Sequence, residues 1–396
     1  MAYNFDFYSP TEVVFGRDTP SKVGKYINKY HGHKILIVYG SDRVRQNGLM
    51  DVITKALADD SLTYKMLGGV VPNPRLSKVY EGITLGKRMG ADFILAVGGG
   101  SVIDTAKAIA YGLAEPNEDV WTLFAHQRTA KACLPVASVL TIAAAGSETS
   151  MGSVITDEKT KEKRAYDDDL ARPKFAIMDP ELTLSVSDYQ TECGATDIMM
   201  HTMERYFTNG GNMAITDAVA EGLLRTVKTN AQVLHANPQL YEARAEMMWA
   251  GSLSHNNLTG CGNDGGDFAT HMLEHELSGM FDITHGAGLA AIWPTWARYV
   301  YQDDLPRFIS FAQNVMGVTE KGSGEMIALT GIAKMVQFYH AIGMPATISE
   351  LGITLTDDQC HTLAHNCAVA AGGKKGSAKV LYEDDMYQIY KKASEA

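Results

Sequence analysis

The chain has 396 residues, 45% of them hydrophobic and 20% charged, with a formal net charge of −11. This composition suits a globular chain with room for two cores and excludes a disordered one. The acidic balance excludes a general binder of nucleic acid or of anionic membrane, each of which needs a basic face, and leaves a small molecule as the expected partner.

The N-terminus, Met-Ala-Tyr-Asn-Phe-Asp-Phe-Tyr, shows no basic segment followed by an apolar one, and no uncharged run is long enough to span a bilayer. Cys133, Cys193, Cys261, Cys360 and Cys367 are odd in number and form no CxxC pair, which predicts reduced thiols and a cytoplasmic protein.

Thr11 to Phe15 reads as a short strand, followed by Gly16 and a helix from about Ser21. Lys34 to Val38 is a continuous apolar run stopped by Tyr39-Gly40-Ser41-Asp42, as a strand buried on both faces and entering a loop would be. Leu49 to Leu57 suits a helix, Thr63 to Leu67 a strand, Pro72-Asn-Pro74 a turn and Ser77 to Met89 a helix. Phe93 to Val97 is the clearest strand, and it runs into Gly98-Gly99-Gly100-Ser101 and a helical pattern over Val102 to Tyr111. Val136 to Ile142 and Phe175 to Met178 supply further strands. This alternation predicts a parallel, doubly wound, Rossmann-like sheet.

Beyond Asp188 the pattern is helical, with long candidates at Ala214 to Thr229, Tyr241 to Asn257, Phe268 to Met280 and Glu325 to Ile342, and a final helix over Asp384 to Ala393. The expected division is an α/β domain over residues 1–185 and an all-helical domain over 186–396.

Three glycines between a buried strand and a helix leave backbone N–H groups uncovered, so a pyrophosphate can approach the positive end of that helix. Ser101 and Asp104 have the spacing of an N-terminal cap. The dinucleotide fingerprint GxGxxG is not met, since Ile103 stands at the third glycine. The first loop, Gly40 to Arg45, lies at another strand's carboxyl end, and the two loops together would frame one dinucleotide.

Asp197 and His201 stand four residues apart in the Met-rich run from Gly194 to Phe207, where helical spacing stacks them on one face. His271, His275 and His285 follow about seventy residues on. Ionisable groups clustered in apolar sequence are most simply explained by a shared cation, and Asp197, His201, His271 and His285 form a plausible ligand set for a divalent transition metal. His271-Met-Leu-Glu274-His275 also fits the H-x-x-E-H pattern of inverted zinc proteases, which makes a metallohydrolase the rival.

Several stretches, in order and spacing, resemble the iron-containing (group III) alcohol dehydrogenases, most closely their butanol dehydrogenase and aldehyde reductase branch. They are Tyr3 to Phe15, Val71-Pro-Asn-Pro74, Ala96 to Asp104, Gly146-Ser-Glu148, Gly194 to Phe207, Thr270 to Gly288 and Leu351-Gly-Ile353. The resemblance implies a dehydroquinate synthase-like two-domain architecture, with a dinucleotide-binding domain, a helical metal-binding domain and catalysis in the cleft between them. It puts the metal, iron in the first place with zinc, manganese or nickel as alternatives, on Asp197, His201, His271 and His285. It places His275 on the proton path near the nicotinamide. It carries cofactor contacts to Gly40, Ser41, Asp42, Gly98, Gly99, Gly100, Ser101, Asp104, Thr141, Ser150 and Lys163, and it implies a homodimer. Ala143-Ala144-Ala145 departs from the family's Pro-Thr-Thr or Pro-Ala-Thr, so a hydroxyl contact is missing at Ala145.

The family's discriminating carboxylate position is filled by Ser41, with Asp42 one place on and Arg43 and Arg45 following, which predicts NADP(H) in preference to NAD(H). The expected reaction is metal-assisted hydride transfer between primary alcohols and aldehydes. A glycerol dehydrogenase-like or dehydroquinate synthase-like enzyme on polyhydroxylated substrates is the alternative on the same fold. Met199, Met200, Met272, Phe268 and Trp249 near the ligands suggest an apolar pocket instead, and core packing explains them equally well.

Overall fold

A computed structural model of the chain describes residues 2–211 and 213–395. The chain divides into two compact units, one spanning Tyr8–Val186 and the other holding Ser187–Ala396 together with the first residues through Phe7. The N-terminal segment differs from expectation, because the Tyr3 N–H donates to the Gly262 carbonyl (2.9 Å) and so belongs to the helical unit.

The Tyr8–Val186 unit contains β1 (Glu12–Phe15), α1 (Val23–Lys29), β2 (Lys34–Tyr39), α2 (Arg43–Gln46), α3 (Leu49–Asp59), β3 (Thr63–Leu67), α4 (Leu76–Met89), β4 (Phe93–Gly98), α5 (Gly100–Ala114), α6 (Trp121–Phe124), β5 (Val136–Leu140), β6 (Gly152–Asp157), β7 (Glu162–Asp167) and β8 (Phe175–Met178). Six strands form one parallel sheet in the order β1-β8-β5-β4-β2-β3. Ile35, Leu36, Ile37, Val38 and Phe93 to Val97 are fully buried, so both faces of β2 and β4 are covered, as their uninterrupted apolar runs require. Ile35, Ile37, Phe93, Leu95 and Phe175 share a core with Val23, Ile27, Leu49, Ile53 and Leu57.

From β2 the chain moves outward to β3, then returns to place β4 on the other side of β2. The strand order therefore reverses between β2 and β4, and open α/β sheets bind ligands beyond the strand ends at such a reversal. The hairpin β6–β7 is absent from the sequence expectation because Glu162, Lys163, Arg164 and Asp167 break the apolar alternation that marks a half-buried strand.

The second unit is helical, with α7 (Asp188–Tyr206), α8 (Ala214–Ala236), α9 (Tyr241–His255), α10 (Ala269–Phe281), α11 (His285–Val300), α12 (Leu305–Asn314), α13 (Gly324–Ala341), α14 (Asp357–Ala370) and α15 (Glu383–Glu395). Helix α7 starts where the Ser187 hydroxyl accepts from the Gln190 N–H, one of the donors that a helix start leaves open. It is buried nearly all round from Thr191 to Tyr206, which puts it at the centre of the unit, packed against α8, α9 and α11. Among the described residues, no helix is long and apolar enough to cross a membrane.

Candidate metal centre and dinucleotide loops

Three helices bring the four expected ligands together. Asp197 and His201 lie one turn apart in the middle of α7, His271 lies in the first turn of α10 and His285 is the first residue of α11. Glycines set the close approach of α11. A Cβ on Gly286 would sit 2.1 Å from the Cys193 carbonyl oxygen of α7, and one on Gly288 would sit 2.8 Å from Glu274 Cγ. The sequence His-Gly-Ala-Gly is thus what lets α11 press onto α7 and onto the carboxylate of α10.

Asp197 Oδ1 is the convergence point, 3.9 Å from Nε2 of His271 and 3.9 Å from Nε2 of His285. Ligand atoms of Asp197, His201 and His271 lie within 4.8 Å of one another. His201 Nδ1 is 3.1 Å from both Asp197 Oδ1 and the Asp197 carbonyl oxygen, and its hydrogen bond goes to the carbonyl. Asp197 Oδ1 and His271 Nε2 are consequently buried without a hydrogen-bond partner, facing each other at a distance too long for a bond. Donor atoms about 2.1 Å from a shared ion lie about 3.4 Å apart, so a small cation with modest closure satisfies both orphaned atoms. The donor set, one carboxylate and three imidazoles, fits a first-row divalent metal.

The other ring nitrogens are already committed. His271 Nδ1 lies 3.1 Å from Glu204 Oε1, which also accepts the His271 backbone N–H (3.0 Å). His285 Nδ1 is hydrogen-bonded to Glu274 Oε2, and the Ser278 hydroxyl donates to Glu274 Oε1. Sequence reasoning missed Glu204 and singled out Glu274 only as the base of the rival H-x-x-E-H reading. Glu204 follows His201 by three positions and so lies on the ligand side of the same helix, a signal that was available.

His275 stands beside the cluster, its ring centroid 5.6 Å from that of His285 and 6.4 Å from that of His271. Glu274, His275 and His285 also offer ligand atoms within 4.8 Å, but two of these are the bonded pair Glu274 Oε2 and His285 Nδ1. The same bond takes up the glutamate that H-x-x-E-H chemistry would need to activate water, and that rival loses its base. Of the apolar neighbours, Met199 and Met200 are fully buried core, Phe268 packs on the His271 ring (5.7 Å between centroids) and Trp249 is 42% exposed. Phe268 also precedes α10 in the left-handed region, with φ of 54°, instead of starting the helix.

Burial opposes charge on His271, but the carboxylates of Asp197 and Glu204, which face its two ring nitrogens, outweigh it and raise the imidazole to about 9. Burial pulls His201 down to about 4. Burial alone would favour neutral Asp197, yet the imidazoles of His201, His271 and His285 gathered around it hold it well below the usual carboxylate range. An ion binding at His271 Nε2 must displace that proton. Zinc affinity of the stripped protein should therefore rise about tenfold per pH unit between about pH 7 and 8.5. Competition titrations against a chromophoric chelator check this, and a pH-independent constant contradicts it.

In the α/β unit, Gly40, Ser41 and Asp42 follow β2, while Gly98 ends β4, Gly99 precedes α5, and Gly100 and Ser101 are its first residues. The two loops adjoin, since a Cβ on Gly40 would lie 3.6 Å from Val102 Cγ2 and 3.3 Å from the Val70 carbonyl oxygen. A Cβ on Gly99 would come within 2.0 Å of Ile142, and one on Gly100 within 3.1 Å of the Ala145 methyl. Only bare backbone fits, with the first N–H groups of α5 open, and this suits a pyrophosphate. Ser41 and Asp42 are exposed at this edge, and the Thr141 N–H donates to the Gly98 carbonyl (3.1 Å).

The cap expected from Ser101 and Asp104 is not formed. Gly99 caps α5 without a side-chain bond, while Asp104 turns away to accept from Ser147 Oγ (2.6 Å) and the Val154 N–H (3.0 Å). Beside it, buried Lys107 Nζ donates to the carbonyls of Ser147, Ser150 and Gly152 and to the Ser147 and Ser150 hydroxyls, at 2.7 to 3.4 Å. Ser150 is thereby turned inward, and Lys163 lies buried on β7.

A doubly wound sheet with bare backbone at its switch point, in one chain with an Asp-His-His-His cluster, suits a metal-dependent dehydrogenase. Comparison with known proteins gives the family. The iron-containing alcohol dehydrogenase model matches residues 10–180, and the C-terminal model of the Fe-containing alcohol dehydrogenase family matches residues 191–394. The chain is 37% identical over 391 residues to NADH-dependent butanol dehydrogenase A of Clostridium acetobutylicum, covering 98% of this chain and 99% of that one. It is 33% identical over 353 residues to an NADPH-dependent aldehyde reductase of Escherichia coli, covering 88% and 89%. The crystal structure of an NADH-dependent butanol dehydrogenase A from Thermotoga maritima superposes with a TM-score of 0.94 at 36% identity, covering 99% and 98%. The chain belongs to the iron-containing alcohol dehydrogenase family, and it is an alcohol and aldehyde oxidoreductase.

Proposed function

We propose that the chain interconverts primary alcohols and aldehydes of short aliphatic chain, holding a divalent metal, iron in the first place, on Asp197, His201, His271 and His285. The observation that carries this is the pair of buried, unpartnered atoms Asp197 Oδ1 and His271 Nε2 within a donor set of carboxylate and imidazoles. A divalent cation there supplies Lewis acidity that favours alkoxide over alcohol and polarises a carbonyl. The nicotinamide supplies the hydride. Gly40 and Gly99 to Ser101 hold the dinucleotide by backbone, with Gly98 and Thr141 fixing the loop beneath it and Ser41 and Asp42 at its ribose edge. His275 is placed to pass the substrate's hydroxyl proton towards solvent, being beside the ligands and outside the ligand set. Fully buried Met199 and Met200 and the half-buried ring of Phe268 give the ligand neighbourhood an apolar character, which favours an aliphatic substrate over a polyol.

The preferred coenzyme is NADPH. Ser41 offers no carboxylate against a 2′-phosphate, and Arg45 lies in the same loop, 3.9 Å from Asp42. Arg43 is committed to the Ser185 carbonyl (3.0 Å), and the Clostridium relative's NADH dependence points the other way. Initial rates of butyraldehyde reduction at matched coenzyme concentrations decide, with at least a tenfold advantage for NADPH expected and a tenfold advantage for NADH reversing the assignment. We also propose a cytoplasmic homodimer. All five cysteines are free thiols, and Tyr3, Phe5, Phe7 and Tyr8 present exposed aromatic rings suited to subunit contact; sedimentation equilibrium reads the assembly.

A further inference from the structure

The three carboxylates of the metal centre are among the most buried acids of the chain, with Asp197 at 4%, Glu204 at 2% and Glu274 at 0% exposure. Burying a carboxylate is costly unless a cation or several hydrogen bonds answer it. The adjacent Arg205 guanidinium turns to the carbonyls of His201 and Ser254 and to Asn257, and Glu204 Oε2 is buried without a hydrogen bond. Oε1 is spent entirely on His271, taking its N–H and facing its Nδ1. Glu274 is spent on His285 Nδ1 and the Ser278 hydroxyl, and room for it is made by the missing side chain of Gly288.

We infer that Glu204 and Glu274 are positioning residues that set how tightly this centre holds its cation, an inference resting on the metal site proposed above. Each fixes Nδ1 as the protonated nitrogen of one ligand imidazole, so that Nε2 is the lone-pair nitrogen aimed at Asp197 Oδ1. Each also adds negative charge one ring away from the ion, making that imidazole a stronger donor. His201 is different in kind, because its Nδ1 is held by the Asp197 backbone carbonyl, an uncharged acceptor. The centre is thus graded, with two ligands strengthened by carboxylates and one by a peptide group. With Asp197 the carboxylates place three negative charges around the site of a divalent ion.

The test is zinc affinity of the full chain after stripping and reloading, read by competition with a chromophoric chelator. Glu204→Gln and Glu274→Gln keep the side-chain length and a carbonyl acceptor but remove the charge. Each should weaken zinc binding about 10- to 100-fold, while the melting temperature of the stripped protein stays within a few degrees of the parent's. A merely structural role would lower that melting temperature and leave the zinc constant in place, and a constant within threefold of the parent's overturns the assignment for that residue. Where a glutamine variant does not fold, Glu204→Asp and Glu274→Asp replace it; they keep the charge but shorten the reach, and an unchanged zinc constant again overturns. Failure of the metal site itself looks different, since the parent chain would then take up no stoichiometric zinc and His271→Ala would match it.

Discussion

Replacing His271 with alanine should strip the protein of its metal and lower butyraldehyde reduction by about a thousandfold or more, and His285→Ala should do the same. The reasoning is one of coordination. Each variant leaves three of four ligands, and His271→Ala also leaves Glu204 Oε1 without the imidazole beside it and Asp197 Oδ1 with one fewer nitrogen in reach. Metal content by plasma emission and turnover on the same preparation should fall together. His275→Ala provides the contrast, because a residue beside the ligand set should leave metal content intact while slowing turnover by about 10²- to 10⁴-fold. A His271→Ala protein with full activity in chelator would remove the metal from the reaction.

Lys107→Met should destabilise the α/β unit by about 3–5 kcal/mol, read as a lower urea midpoint. Burial pulls the Lys107 ammonium down to about 8, with Asp104 the chief charge holding it up, so it stays largely charged near neutral pH. Its loss would take a donor from three carbonyls and two hydroxyls of the Ser147–Gly152 segment and leave the carboxylate of Asp104 buried without its cation. That segment continues from Ala145, which touches Gly100, so the damage should reach the dinucleotide loop. Fluorescence titration with NADPH under conditions where the variant remains folded should show at least about a tenfold weaker complex, by the loss of a preorganised loop. Unchanged stability and unchanged coenzyme affinity would contradict the role given to this lysine.

The parallel sheet was legible because strands covered on both faces must be apolar throughout, and Lys34 to Val38 and Phe93 to Val97 carry no interruption. The clustering of the candidate ligands was legible because four ionisable side chains in otherwise apolar helical sequence are hard to explain without a shared partner. Their supporting carboxylates were not. Glu204 lies 67 positions from the imidazole it serves, and Glu274, although next to His275, serves His285 eleven positions on across a turn. Asp104 and Lys107 illustrate a similar limit. Spacing suggested a helix cap from Ser101 and Asp104, but Asp104 and Lys107 are both engaged by a segment forty or more residues later, a choice made by tertiary packing. The hairpin β6–β7 was hidden by its charges, and the attachment of the N-terminal segment to the helical unit is made by contacts some two hundred positions or more along the chain, the Tyr3–Gly262 backbone bond among them.

The most direct measurement is anomalous diffraction at the iron or zinc edge from crystals of the loaded enzyme. The account predicts one strong peak about 2.0–2.2 Å from a carboxylate oxygen of Asp197 and from one nitrogen each of His201, His271 and His285. A map with no peak among those four side chains, or with the ion held instead by Glu274 and His275, would contradict it.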